Sequence, residues 1–208
     1  MLMRGSWLLL IAVLPEPVGC LPWVMSSVQL DAVHVVPARG VGEHDLVAGL
    51  ERGPDGEAPP PSSAVATAAT ARLAQHATAL GHALERADLE TAREQAEALV
   101  GLGQGLTPSG DDVLVGLFAV LHLPGGPCEP LRDLGRQIVA RAAHRTHAIS
   151  LCALRAAAEG RVRVRIIALL SALIAGEREA MLATLRSVLA IGSTSGRDIV
   201  AGIVLGFE

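Results

Sequence analysis

The chain has 208 residues, half of them apolar and 18% charged, and a formal net charge of −4. That is enough apolar material for a sizeable core, and it leaves no basic footprint for nucleic acid. Aromatic residues make up 2%, all basic residues are arginine and tyrosine is absent, which excludes a base-stacking platform and any chemistry that needs a lysine amine.

An apolar run follows Arg4 from Trp7 to Leu14, and Val18-Gly19-Cys20 stands a few residues on. Together they imitate a secretory or lipoprotein signal, although Pro17 occupies the place of the usual leucine. The run is too short to cross a bilayer, and a buried strand ending at Pro15 is the preferred alternative. Cys20, Cys128 and Cys152 are odd in number and share no metal-ligand spacing. Reduced thiols in a cytoplasmic protein are expected, with no membrane partner.

Short apolar runs at residues 8–14, 23–30 and 32–36, separated by Pro, Gly and Asp, predict a small β-rich N-terminal region over residues 1–52. Residues 53–63 are dense in proline and read as an exposed linker. Residues 64–208 read as a mainly α-helical domain, so the expected class is α+β. Helices are predicted over 64–86, 89–100, 111–122, 148–159, 164–175, 177–191 and 197–206, and Leu131, Leu134, Ile138 and Ala142 form a further helical stripe.

Two polar loops interrupt the helices. The first reads Gly101-Leu-Gly-Gln-Gly-Leu-Thr-Pro-Ser-Gly-Asp-Asp112, the second Gly192-Ser-Thr-Ser-Gly-Arg-Asp198. Aligning Ser109 with Ser195 also superposes Gly110 on Gly196, Asp112 on Asp198 and Gly116 on Gly202. Each loop opens an apolar helix, whose N-terminus presents unpaired N–H groups and a partial positive charge, a setting that suits an anion. The Ser-x-x-Asp spacing also fits a capping box, which accounts for Ser and the second Asp but not for Gly101, Gly103, Gly105, Thr107 or Asp111. Gly105 and Gly110 have phosphate-loop spacing, yet Asp111 stands where that motif needs lysine, so a nucleotide-triphosphatase is excluded.

Thr146 and Ser150 lie four apart and either cap their own helix or offer hydroxyls to the same cleft. Seven histidines form no metal-ligand pattern. Arg161, Arg163 and Arg165 read as a solvated helix start, the alternative being an anion clamp.

With these blocks in hand, residues 100–207 resemble the family named for the oxamate carbamoyltransferase subunit of anaerobic allantoin degradation. Residues 101–116 are similar to its signature loop and helix, residues 189–206 to its closing motif, and Thr146-His-Ala-Ile-Ser150 with Ala157 and Gly160 to its middle block. Gly19-Cys-Leu-Pro-Trp23 resembles its N-terminal half more weakly. The resemblance implies phosphorolysis of oxalurate to oxamate and carbamoyl phosphate together with other subunits of a complex. It also implies sequence ahead of Leu8 that this chain lacks.

On that reading Asp111, Asp112 and Asp198 are candidate catalytic carboxylates. Gly103, Gly105, Thr107, Ser109, Gly110, Thr146, Ser150, Thr194, Ser195 and Gly196 are candidate contacts to a small anionic substrate: carbamoyl phosphate or phosphate, oxalurate or oxamate. A carboxylate pair beside phosphate needs a divalent cation between them or else a neutral ligand, and both stay open. The competing reading is a non-catalytic helical scaffold or regulatory subunit of a multi-subunit enzyme. Whether the two loops converge discriminates the two.

Overall fold

The computed structural model describes residues 27–29, 64–124 and 131–207. Among them eight helices follow in order: α1 (Ala64–Glu85), α2 (Leu89–Leu99), α3 (Ser109–Leu121), α4 (Asp133–Ala142), α5 (Ala148–Ala158), α6 (Val164–Ala175), α7 (Arg178–Leu189) and α8 (Ser195–Phe207). Two three-residue strands, β1 (Ser27–Gln29) and β2 (Arg161–Arg163), pair antiparallel with Val28 opposite Val162.

The expected α+β class is therefore corrected: the described residues form an all-helical domain in which one short ribbon is the only extended pairing. Two strands are too few to carry a core layer, and the buried apolar residues sit overwhelmingly on helices. The runs at 8–14 and 32–36 and the linker at 53–63 lie outside the described residues.

Local signals set the helix ends. The Asp88 carboxylate accepts from the Thr91 N–H at 3.1 Å and starts α2. Gly176 takes the left-handed conformation that ends α6. Helix α2 turns Ala92, Ala96 and Leu99 inward at helical spacing.

Helices α3 and α8 make the most extensive contact in the domain. Both are apolar nearly all round, with Gly110 to Leu121 buried in α3 and Ile199, Val200 and Gly202 to Gly206 buried in α8. Their axes approach at two glycines. A Cβ on Gly116 would collide with the Ile199 carbonyl oxygen, and one on Gly202 with the Val113 carbonyl oxygen. The contact is reciprocal, the same position in each helix meeting the other's backbone. This crossing brings both helix N-termini to one end of the domain. No helix among the described residues is long and apolar enough to cross a membrane.

Candidate functional site

The two glycine-bearing loops meet where α3 and α8 begin. Thr107 Oγ1 and Ser195 Oγ lie 3.0 Å apart, 88 residues apart in sequence. Around this contact the hydrogen bonds cross over. Asp112 accepts from the hydroxyls of Ser195 in the other loop and Thr107 in its own. Asp198 accepts from Ser109 in the other loop and Thr194 in its own. The echo seen in the sequence is thus an arrangement in space, each carboxylate held by one hydroxyl from each loop.

Burial makes both carboxylates hard to ionise. Asp112 is pushed up to about 6, first by desolvation and then by the negative charge of Asp198, against the opposing effect of the hydroxyls. Desolvation likewise raises Asp198. The Asp112 side chain is only 6% exposed, and Oδ2 of each aspartate has no hydrogen-bond partner. A buried oxygen left unpaired is costly, which adds to the burial that disfavours the charged form of each carboxylate.

One side of the pair opens into a cavity of about 200 Å³ whose polar end is made by Thr107, Asp112, Gly192 and Ser195. Arg161 and Arg163 stand at its edge. Burial lowers the pKa of the half-buried Arg163, and the nearby Asp112 carboxylate opposes that shift. Asp198 and Ser109 do not line this space, so of the two carboxylates only Asp112 borders the cavity. A more open crevice of about 270 Å³ lies behind the first loop, among Gly101, Gly103, Pro108, Arg145 and His147.

Asp111 points the other way. Fully buried, it accepts from the Gly101 N–H at 2.8 Å, from the Ser150 hydroxyl at 2.6 Å and from the Thr146 hydroxyl. Thr146 and Ser150 accordingly tie the start of α5 to the first loop, away from the Asp112 cavity. Gly110 and Gly196 donate their N–H groups to the Leu102 and Ile191 carbonyls at 2.8 and 2.9 Å, and a Cβ on either would strike the end of the preceding helix. The N–H groups of Asp111 and Asp112 both go to the Pro108 carbonyl. The first turn of α3 therefore spends its donors internally. Gly103 packs on the Ser109 amide, while Gly105 stands in open space. Among the described residues no group of three or more His, Cys, Asp or Glu side chains could hold a metal ion.

The preferred reading of Arg161 to Arg165 as a solvated helix start is corrected, since residues 161–163 are strand β2 with Val162 buried between two arginines that line the cavity, the placement that the anion-clamp alternative needs. The Arg-Val-Arg-Val-Arg alternation has the two-residue period of a strand and was the available signal.

A helical domain that crosses hydroxyls and carboxylates from two helix N-termini over one cavity has the form of a small-ligand site between packed helices. Residues 99–207 match the family described as "Oxamate carbamoyltransferase subunit AllH". The match covers more than half of the chain, and the chain belongs to that family. No solved structure matches it.

Proposed function

We propose that the cavity at Asp112 is where this oxamate carbamoyltransferase subunit holds the carbamoyl group of its substrate, in the cytoplasm and together with partner subunits. The observation that carries the reading is a cavity lined by the buried Asp112 carboxylate together with Thr107 and Ser195. A carbamoyl group carries N–H donors next to a carbonyl acceptor. Its amide N–H groups match the Asp112 carboxylate and the hydroxyl oxygens of Thr107 and Ser195, whose own hydrogens are given to Asp112.

Phosphorolysis of oxalurate asks a phosphate oxygen to bond to the ureido carbonyl carbon while the bond from that carbon to the inner nitrogen breaks. The proton carried by phosphate ends on the oxamate nitrogen, and carbamoyl phosphate is the other product. Negative charge develops on the carbonyl oxygen, and the guanidinium of Arg161, which lines the cavity, is assigned to it. A carboxyl group with a pKa near 6 can pass the proton at neutral pH. Arg163 is assigned to the anionic end of the ligand. Asp198 mirrors Asp112 and fixes the loops, and Asp111, saturated by its three donors, positions the first loop. The glycine N–H groups first considered as an anion cradle have no part in this reading.

The test is carbamoyl phosphate formation from oxalurate and phosphate by the chain reconstituted with its partner subunits. Asp112→Asn should lower kcat by about a hundredfold or more, and Ser195→Ala by about tenfold or more through loss of the hydrogen bond that holds Asp112. Full activity in a folded Asp112→Asn complex would leave the scaffold reading in its place.

A further inference from the structure

Beyond its polar end the cavity is walled by Val115, Ala153, Ala156, Val162, Ile166 and Ile199, five of them buried core residues. At ~30 Å³ per water molecule in the liquid, the space holds roughly six waters, room for a ligand of amino-acid size. Three kinds of surface surround it: the carboxylate and hydroxyls of Asp112, Thr107 and Ser195, the guanidinium of Arg163, and the aliphatic wall. Oxalurate satisfies the first two. Its middle carbon carries an oxygen, and against Val115, Ile166 and Ile199 that oxygen loses water without gaining a partner.

We propose that the cavity takes N-carbamoyl-α-amino acids with a branched aliphatic side chain. Such a ligand keeps the two ends of oxalurate, a ureido group and a carboxylate. Where oxalurate has its inner carbonyl, it has a carbon bearing an apolar branch. The ureido N–H groups meet the Asp112 carboxylate, the carboxylate meets Arg163, and the branch lies on the apolar wall. The inference rests on the carbamoyl-holding role proposed for the polar end and adds the class of body attached to it.

The experiment is calorimetric titration of the full chain with N-carbamoylglycine, N-carbamoylvaline, N-carbamoylleucine and oxalurate. Each buried methylene should tighten binding about fourfold, the ~0.8 kcal/mol of its transfer converted at 1.4 kcal/mol per tenfold. The valine derivative should therefore bind about fiftyfold more tightly than the glycine one. Val115→Thr, equal in shape but polar, should flatten the series while leaving N-carbamoylglycine unchanged. Ala153→Leu, at a half-buried wall position, should exclude N-carbamoylleucine and still admit N-carbamoylglycine. Oxalurate binding as tightly as the branched ligands, or a flat series in the unaltered chain, overturns the inference and leaves the carbamoyl site standing. No binding of any of the four overturns both.

Discussion

Replacing Asp112 with asparagine removes a buried charge while keeping the size of the side chain and one acceptor oxygen. In the folded protein the carboxyl titrates near 6 rather than at its ordinary 3.8, so between those values the folded state binds more protons than the unfolded one. Stability contributed by this group therefore falls as pH rises from about 4 to about 6, and stays at its lower level above that. A rise of about two pH units at 1.36 kcal/mol each amounts to about 3 kcal/mol. An amide also replaces the neutral carboxyl as partner of Thr107 and Ser195, an exchange that costs up to about 1 kcal/mol. Asp112→Asn should thus be about 2 kcal/mol more stable than the parent at about pH 8, roughly 4–8 °C in Tm for a chain of this size. Near pH 4 it should be equal or about 1 kcal/mol less stable. Asp198, raised in the same direction, remains in both proteins. Urea unfolding across this pH range reads the difference directly. A variant that is destabilised by the same margin at both ends would refute a raised Asp112 and the buried pair with it.

Asp111→Ala should lose about 2–5 kcal/mol because the Gly101 N–H and the Thr146 and Ser150 hydroxyls lose their acceptor; urea midpoints give the value. Gly202→Ala should cost about 3 kcal/mol or more, since a Cβ meets the α3 backbone rather than a movable side chain, and thermal unfolding will show it. Leu106 is 64% exposed at the tip of the first loop, so Leu106→Ser should change stability by less than about 0.5 kcal/mol.

Much of the helical domain is legible in the sequence because its boundaries are local. Asp88, Gly101, Gly176 and Gly192 mark helix ends by capping and by backbone conformation, and the predicted spans match the observed ones to within a few residues. The echo between Ser109-Gly-Asp-Asp112 and Ser195-Gly-Arg-Asp198 is legible as well, since two copies of one pattern stand on two helices of similar kind. Their roles are not. Adjacent residues on a helix point about 100° apart, so which of Asp111 and Asp112 faces the second loop depends on how α3 crosses α8. Only tertiary contacts send Asp111 to Thr146 and Ser150 and send Asp112 to Ser195. The placement of Arg163 was hidden for a related reason, because a three-residue strand depends on β1, which lies more than a hundred residues earlier. The α+β expectation failed where apolar runs are short and carry no period long enough to separate strand from coil.

The central claim is that one ligand site lies at the crossing of the two loops, with Asp112 as its acceptor. Calorimetric titration of oxalurate into the full chain and into its Asp112→Asn variant tests it most directly, with Leu106→Ser as a control outside the cavity. The account predicts a single site in the parent and in Leu106→Ser, weakened about tenfold or more in Asp112→Asn by loss of a charge-assisted hydrogen bond. Equal affinity in the parent and a folded Asp112→Asn variant would contradict it.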